Sequence, residues 1–317
     1  MSTRAHEPNR WKLGVAAVLA SLLLAACGGG GGGSNAAPIP PIVSPGTPGA
    51  PVATNNTAVD GRNWLNFRRA QAGMSVLTQN TIVDKAAQAH SDYQRLNDTI
   101  THTETAGKPG FTGAELKDRL IAAGYNFVGE SAFGEVISAT SSKDGFYMAE
   151  ELITAIYHRF VIFEPRFEEI GSGSGTTASG YTYFTANFTT NNGYGPGLGN
   201  NISAWPFDGQ TAVAPNFFSD YEAPDPVPGA NEVGYPISVQ GDLDAVLTTV
   251  SFTVRERGSS TNLPVRLLTR ANDGYTPQSA AAIIPLAKLK GNTTYDASFS
   301  GTIRGVPVTK NWSFTTK

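Results

Sequence analysis

The chain has 317 residues, 40% hydrophobic and 15% charged, with a formal net charge of -3. That length suits about two domains, taking ~150 residues for each, and the apolar content is enough for a buried core. That net charge gives no reason to expect nucleic acid as a partner. A count of 35 Gly and 20 Pro is high, and many of them fall near the start and in later connectors.

Arg4, Arg10 and Lys12 precede an apolar run from Leu13 to Ala26 that is too short to span a bilayer core comfortably. The run fits the hydrophobic region of a secretory signal. Leu24-Ala25-Ala26-Cys27 followed by Gly28 resembles a bacterial lipobox. That resemblance implies cleavage after residue 26 and lipidation of Cys27. It also implies a membrane partner through the lipid anchor and a place in the cell envelope, with Gly28 favouring the outer membrane. Cys27 is the single cysteine, so an intrachain disulfide is excluded. Residues 27–57, with Gly28 to Gly33 and then Pro, Ala, Ser and Thr, read as a flexible tether.

Asn63 to Gly73 is a short helix candidate with Trp64 and Phe67 on one face. From Thr81, the residues Val83, Ala86, Ala87, His90 and Tyr93 recur at helical spacing, so His90 reads as a packed core histidine. Thr112 and Glu115 form a capping-box pattern, Leu116 and Leu120 continue an apolar face, and Gly124 is a stop. A further helix is predicted from about Asp144. Ile170 to Ser174 and Tyr181 to Phe188 read as strands, with Thr182, Phe184, Ala186 and Phe188 on one face. Gly171-Ser172-Gly173-Ser174-Gly175 lacks a serine where a nucleophile elbow needs one and reads as a strand-to-turn glycine cluster. Helices followed by strands predict an α+β class.

Eight pieces in order resemble the CAP superfamily, also called SCP-like or cysteine-rich secretory proteins. They are Leu65-Asn66 with Arg68-Arg69, Ala86 to His90, Thr101-His102, Ala123-Gly124-Tyr125, Gly129-Glu130-Ser131, Tyr157-His158-Arg159, Phe167 to Gly173, and Tyr183 to Phe188. The resemblance implies a three-layer α-β-α sandwich over residues 58–190, with a central cleft lined by His102, Glu130, His158 and Glu169. Ser131, Tyr157 and Ala186 depart from the family's usual asparagine, glycine and glutamine.

Two imidazoles and two carboxylates in one cleft admit three uses. They can bind a divalent metal such as Zn through His102, His158 and Glu130. They can act as general acid and base, or they can form a polar network that fixes the cleft's shape. The preferred reading is a non-catalytic protein that holds a small or lipid-like ligand. The alternatives are a metal-assisted hydrolase of peptides or envelope components, and a purely structural envelope protein.

Residues 191–202 are rich in Gly and Asn and read as a linker. Residues 203–317 carry short strand-like runs at Pro236–Gln240, Leu247–Arg255, Pro264–Thr269, Thr294–Ser300 and Lys310–Thr315. That spacing predicts a β-sandwich. The closing segments resemble the last strands of bacterial Ig-like domains, which makes Tyr295 and Trp312 core residues and the region a spacer or adhesive module.

Overall fold

The structure is a computed structural model, and it describes residues 49–317. The predicted signal segment, Cys27 and most of the tether lie outside the described residues. No helix among the described residues is long and apolar enough to cross a membrane.

Helix α1 (Thr57–Gln71) begins at Asn56, whose side chain accepts from the Val59 N–H. That cap starts the helix several residues before the apolar spacing of Trp64 and Phe67 becomes legible. A two-residue strand, β1 (Thr78–Gln79), leads into α2 (Thr81–Asn97), capped by Asn80. Helix α3 (Leu116–Ala123) ends at Gly124 in the left-handed region, as its stop signal predicts. Its capping box is Glu115 with Asp118 rather than Thr112 with Glu115. Thr112 instead gives its N–H and hydroxyl to Glu104.

Strand β2 (Ala132–Thr140) was not anticipated. Asp144 then caps α4 (Gly145–Thr154), and after a break at Ala155 a short helix follows, α5 (Ile156–Ile162). Strands β3 (Glu169–Thr176) and β4 (Thr182–Thr190) complete a four-stranded sheet of order β1-β3-β4-β2. β1 runs parallel to β3, and the other pairs are antiparallel.

Helices cover both faces of this sheet. Phe184, Ala186 and Phe188 join Trp64, Met148 and Val161 in one apolar core, which places α1, α4 and α5 on that side. On the other side, α2 lies so close to β3 that only glycine fits between them. A Cβ on Gly171 or Gly173 would overlap the α2 backbone at Asp84 or Gln88. The glycine cluster is therefore a strand, not a turn. Its backbone is also satisfied from the helix: Asp84 accepts from the Ser172 N–H at 2.8 Å and Gln88 from the Ser174 N–H at 3.1 Å. Those two side chains cap the part of β3 that extends beyond β1, an edge otherwise left unpaired.

The remainder is built of β5 (Ser203–Trp205), β6 (Gln210–Val213), β7 (Asn216–Phe218), β8 (Glu232–Gly234), β9 (Ile237–Gln240), β10 (Leu247–Glu256), β11 (Val265–Thr269), β12 (Ala280–Pro285), β13 (Thr294–Ile303) and β14 (Val306–Thr316). They form two four-stranded sheets, β10-β13-β14-β6 and β11-β12-β9-β5, and the hairpin β7-β8. Phe252, Val254, Phe299 and Phe314 of the first sheet share a core with Ile237, Val239 and Ile283 of the second. Tyr295 and Trp312 are buried in it, as expected.

This region is not a detached module. Ile156, Tyr157 and Phe160 of α5 pack against Phe217, Val233, Ala282 and Ile284. Strand β12 is thus buried on both faces, which explains why its sequence, Ala-Ala-Ala-Ile-Ile-Pro, shows no alternation. Nor do residues 191–202 hang free. The Leu198 and Gly199 N–H groups donate to the buried Asp242 at 2.6 and 3.0 Å, and Gly195 donates to the Arg166 carbonyl.

Candidate functional site

The sheet face under α2 and α3 carries a polar seam. β4 presents Thr185, Asn187 and Thr189 there, because its alternate residues supply the apolar core on the other side. Glu135 of β2 stands opposite Asn187, which in turn stands opposite Gly171. The loop between α2 and α3 lies over this point and contributes His102 and Glu104.

His102 Nδ1 lies 2.9 Å from Glu135 Oε1. Arg119, on the buried side of α3, donates through Nη2 to both Glu135 oxygens at 2.8 Å. Its Nη1 donates to the His102 carbonyl at 2.8 Å, so one guanidinium fixes both the carboxylate and the loop. Burial would raise the Glu135 pKa, but the charge of Arg119 and the hydrogen bond from His102 overcome it and hold this carboxyl well below its usual range. An ionised Glu135 accepts the Nδ1 proton of His102, which leaves the Nε2 lone pair open. That Nε2 atom is buried and has no hydrogen-bond partner, and neither polar atom of the Asn187 amide has one.

His90 sits in the same cluster with both ring nitrogens committed. Nε2 donates to the Thr101 carbonyl at 2.7 Å, and Nδ1 meets Glu104 Oε1 at 2.8 Å. Burial again opposes ionisation of Glu104, while hydrogen bonds from His90 and Thr112 lower its pKa. His90, His102, Glu104, Arg119 and Glu135 are all at most 4% exposed.

Of the four residues predicted for the cleft, His102 alone is in this cluster. Glu130 is exposed, and its carbonyl accepts from the Gly193 N–H in the turn before β2. The acid that meets His102 is Glu135. The dipeptide Gly-Glu occurs twice, five residues apart, and the second copy lies inside a strand whose alternation turns Glu135 inward. His158 belongs to the opposite helical layer. Gly134 faces Val161 of α5, so its neighbour Glu135 must face the other way. His158 Nδ1 instead lies 3.2 Å from Glu222 Oε1. Glu169 is on the same sheet face as Glu135 but accepts from Tyr125, Asn80 and Thr189 at the start of β3.

Sequence reasoning also missed Arg119 and Glu104. Arg119 was legible as an arginine three residues after Leu116, on a stripe otherwise apolar; Glu104 carried no local signal.

The proposed metal set does not fit this geometry. His102, His158 and Glu130 are distributed over two sheet faces and the surface. Among the described residues, no group of three or more His, Cys, Asp or Glu is arranged to hold an ion. His90 offers no substitute, since neither of its nitrogens has a free lone pair.

Residues 63–188 match the sequence model of CAP, the cysteine-rich secretory protein family. This part of the chain is a CAP domain. No curated protein sequence matches the chain. Among solved structures, an extracellular protein containing an SCP domain from Bacillus anthracis is similar at 21% identity, covering 44% of each chain with a TM-score of 0.35. An outer surface protein of Borrelia burgdorferi is 15% identical and covers 44% of this chain and 96% of its own, at a TM-score of 0.37. A cysteine-rich secretory protein of Staphylococcus aureus is 16% identical, covering 44% and 40% at a TM-score of 0.30. The chain therefore spans less than half the length of the first and third of these proteins. These neighbours are extracellular or surface proteins by description. The CAP domain itself contains the whole His102–Glu135–Arg119 cluster.

Proposed function

We propose that the chain is an extracytoplasmic, lipid-anchored protein whose CAP domain binds a small ligand and catalyses no reaction. The observation that carries this reading is the open Nε2 of His102. Every ring nitrogen of His90 and both oxygens of Glu135 are tied within the protein, whereas this atom is buried, aligned by a charged pair and unsatisfied. A buried acceptor without a partner costs ~1–3 kcal/mol. A ligand that supplies an O–H or N–H donor to Nε2 removes that cost, and the unpaired amide of Asn187, which stands opposite Glu135 in the sheet, is a further donor and acceptor on this face. Cys27 supports attachment to the membrane through the lipobox resemblance, and the C-terminal sheets are read as an Ig-like sandwich packed against the domain.

The test is mass spectrometry of whatever co-purifies with the full chain, run beside nitrogen NMR of the His102 imidazole. A small molecule released by His102→Gln, with a shift of the Nε2 signal on its return, is the expected result. Steady turnover of peptide or glycan substrates by the wild type, abolished in the same variant, would show an enzyme instead. Metabolic labelling with a fatty acid, lost in Cys27→Ala, tests the anchor separately.

A further inference from the structure

A second site stands on the sheet remote in sequence from the CAP cluster. In β10, β13 and β14 the inward residues Phe252, Val254, Phe299 and Phe314 build the core, so the alternate positions point outward. There Arg255 is paired with Asp296, and Ser298 with Asn311. Asp208 and Asn262 wall the sides, and the whole encloses an open groove of about 560 Å³. That volume lies within the usual range of small-molecule sites, roughly 300–1,000 Å³.

The hydrogen bonds already made leave a specific set of groups free. Arg257 donates twice to Asp296 Oδ1, at 3.0 and 2.7 Å, so Oδ2 remains an acceptor. Ser298 donates to Asn311 Oδ1 at 2.6 Å, which leaves the Asn311 amide N–H groups as donors. Asp208 Oδ1 accepts from the Ser313 N–H at 3.0 Å, and its second oxygen is open. Arg255 makes no hydrogen bond or ion pair with the described residues. Trp312 also borders the groove, and its buried indole N–H has no acceptor.

Two carboxylates and two guanidiniums balance, so the groove has no net charge to attract a phosphate or sulfate. The Cβ atoms of directly opposed residues on these strands stand ~4.5–5.5 Å apart, and the free groups they carry are donors on Arg255 and Asn311 and acceptors on Asp296 and Asp208. A ligand that matches such a surface needs many groups that both donate and accept, without charge. Hydroxyls on a sugar ring have that character, and a lipid tail or a flat apolar protein face does not. We propose that this groove binds a neutral oligosaccharide.

The experiment is calorimetric titration of the full chain, held in a detergent without a sugar headgroup. The probes are cellohexaose, maltohexaose, mannohexaose and hexa-N-acetylchitohexaose, with a sulfated oligosaccharide as the anionic comparison. At least one neutral probe is expected to bind at one per chain. The double variant Arg255→Ala/Asn311→Ala, both exposed positions, is expected to weaken it at least tenfold at an unchanged melting temperature. Silence across the neutral panel overturns the proposal. So does binding that the double variant leaves intact, or tighter binding of the sulfated probe than of any neutral one.

Discussion

Glu135 and His102 meet at 2.9 Å beneath the α2–α3 loop, while Glu130, five residues before Glu135, points into solvent. Two identical Gly-Glu dipeptides thus place their acids in opposite environments. Removing Glu135 leaves Arg119 charged and buried, a loss that in comparable sites costs ~3–5 kcal/mol. Glu135→Ala is therefore expected to unfold at much lower denaturant concentration than wild type. Glu130→Ala should stay within ~0.5 kcal/mol of it, as an exposed substitution does. Equal midpoints for the two variants would show that the Glu135 pair is not what holds the loop.

Contact between β3 and α2 is backbone to backbone. Gly173→Ala must push the helix outward or kink the strand, because the new methyl meets the Gln88 backbone rather than a side chain that can turn aside. Overpacking of this kind costs ~1–3 kcal/mol or more. Thermal melting of the variant should fall accordingly, whereas Gly180→Ala, in an open turn, is penalised through its positive φ alone.

Glu222 accepts from the N–H groups of Ile156, Tyr157 and His158 at the start of α5, at 2.8, 2.6 and 3.2 Å. The Glu222 side chain, from the region after the CAP domain, therefore caps a helix of that domain, and the Arg159 guanidinium donates back to the Pro236 carbonyl at 2.7 Å. Glu222→Ala is expected to lose ~2 kcal/mol or more, the upper range for a cap, since the orphaned N–H groups are buried. Full-length protein should melt in a single transition that calorimetry and near-ultraviolet dichroism both report. Two resolved transitions would mean that the parts fold independently.

Burial pushes the Glu164 carboxyl from 4.5 up to about 8, despite hydrogen bonds from the Arg166 and Leu243 N–H groups. The folded state holds this proton where the unfolded chain has released it. Stability from this group is thus complete below pH 4.5, declines as pH rises towards 8, and is gone above that. Glu164→Gln keeps an acceptor for both N–H groups and removes the ionisation. It should equal the wild type near pH 3.5 and exceed it by ~1 kcal/mol or more at pH 9, measured by urea unfolding.

Local chemistry made much of the first half readable. Asn80 and Asp144 begin helices, Gly124 ends one, and the Phe184-Ala186-Phe188 alternation marks a strand. These depend on a residue and its near neighbours, so the sequence carries them. Strand β12 escaped because burial on both faces erases periodicity, and α5 because its cap, Glu222, lies over sixty residues away.

What one chain of letters determined was helices α1 to α4, strands such as β3, β4, β10 and β13, the order of the CAP motifs and a single cysteine behind a lipobox pattern. Which acid meets His102 was decided by the pleat of β2, where one residue's shift turns a side chain from one helical layer to the other. The placement of His158 on the far face followed from the same alternation, and the joining of the two halves from apolar faces that only pack once both are folded. Spacing along the chain records periodicity; which face each period addresses is fixed by what packs there.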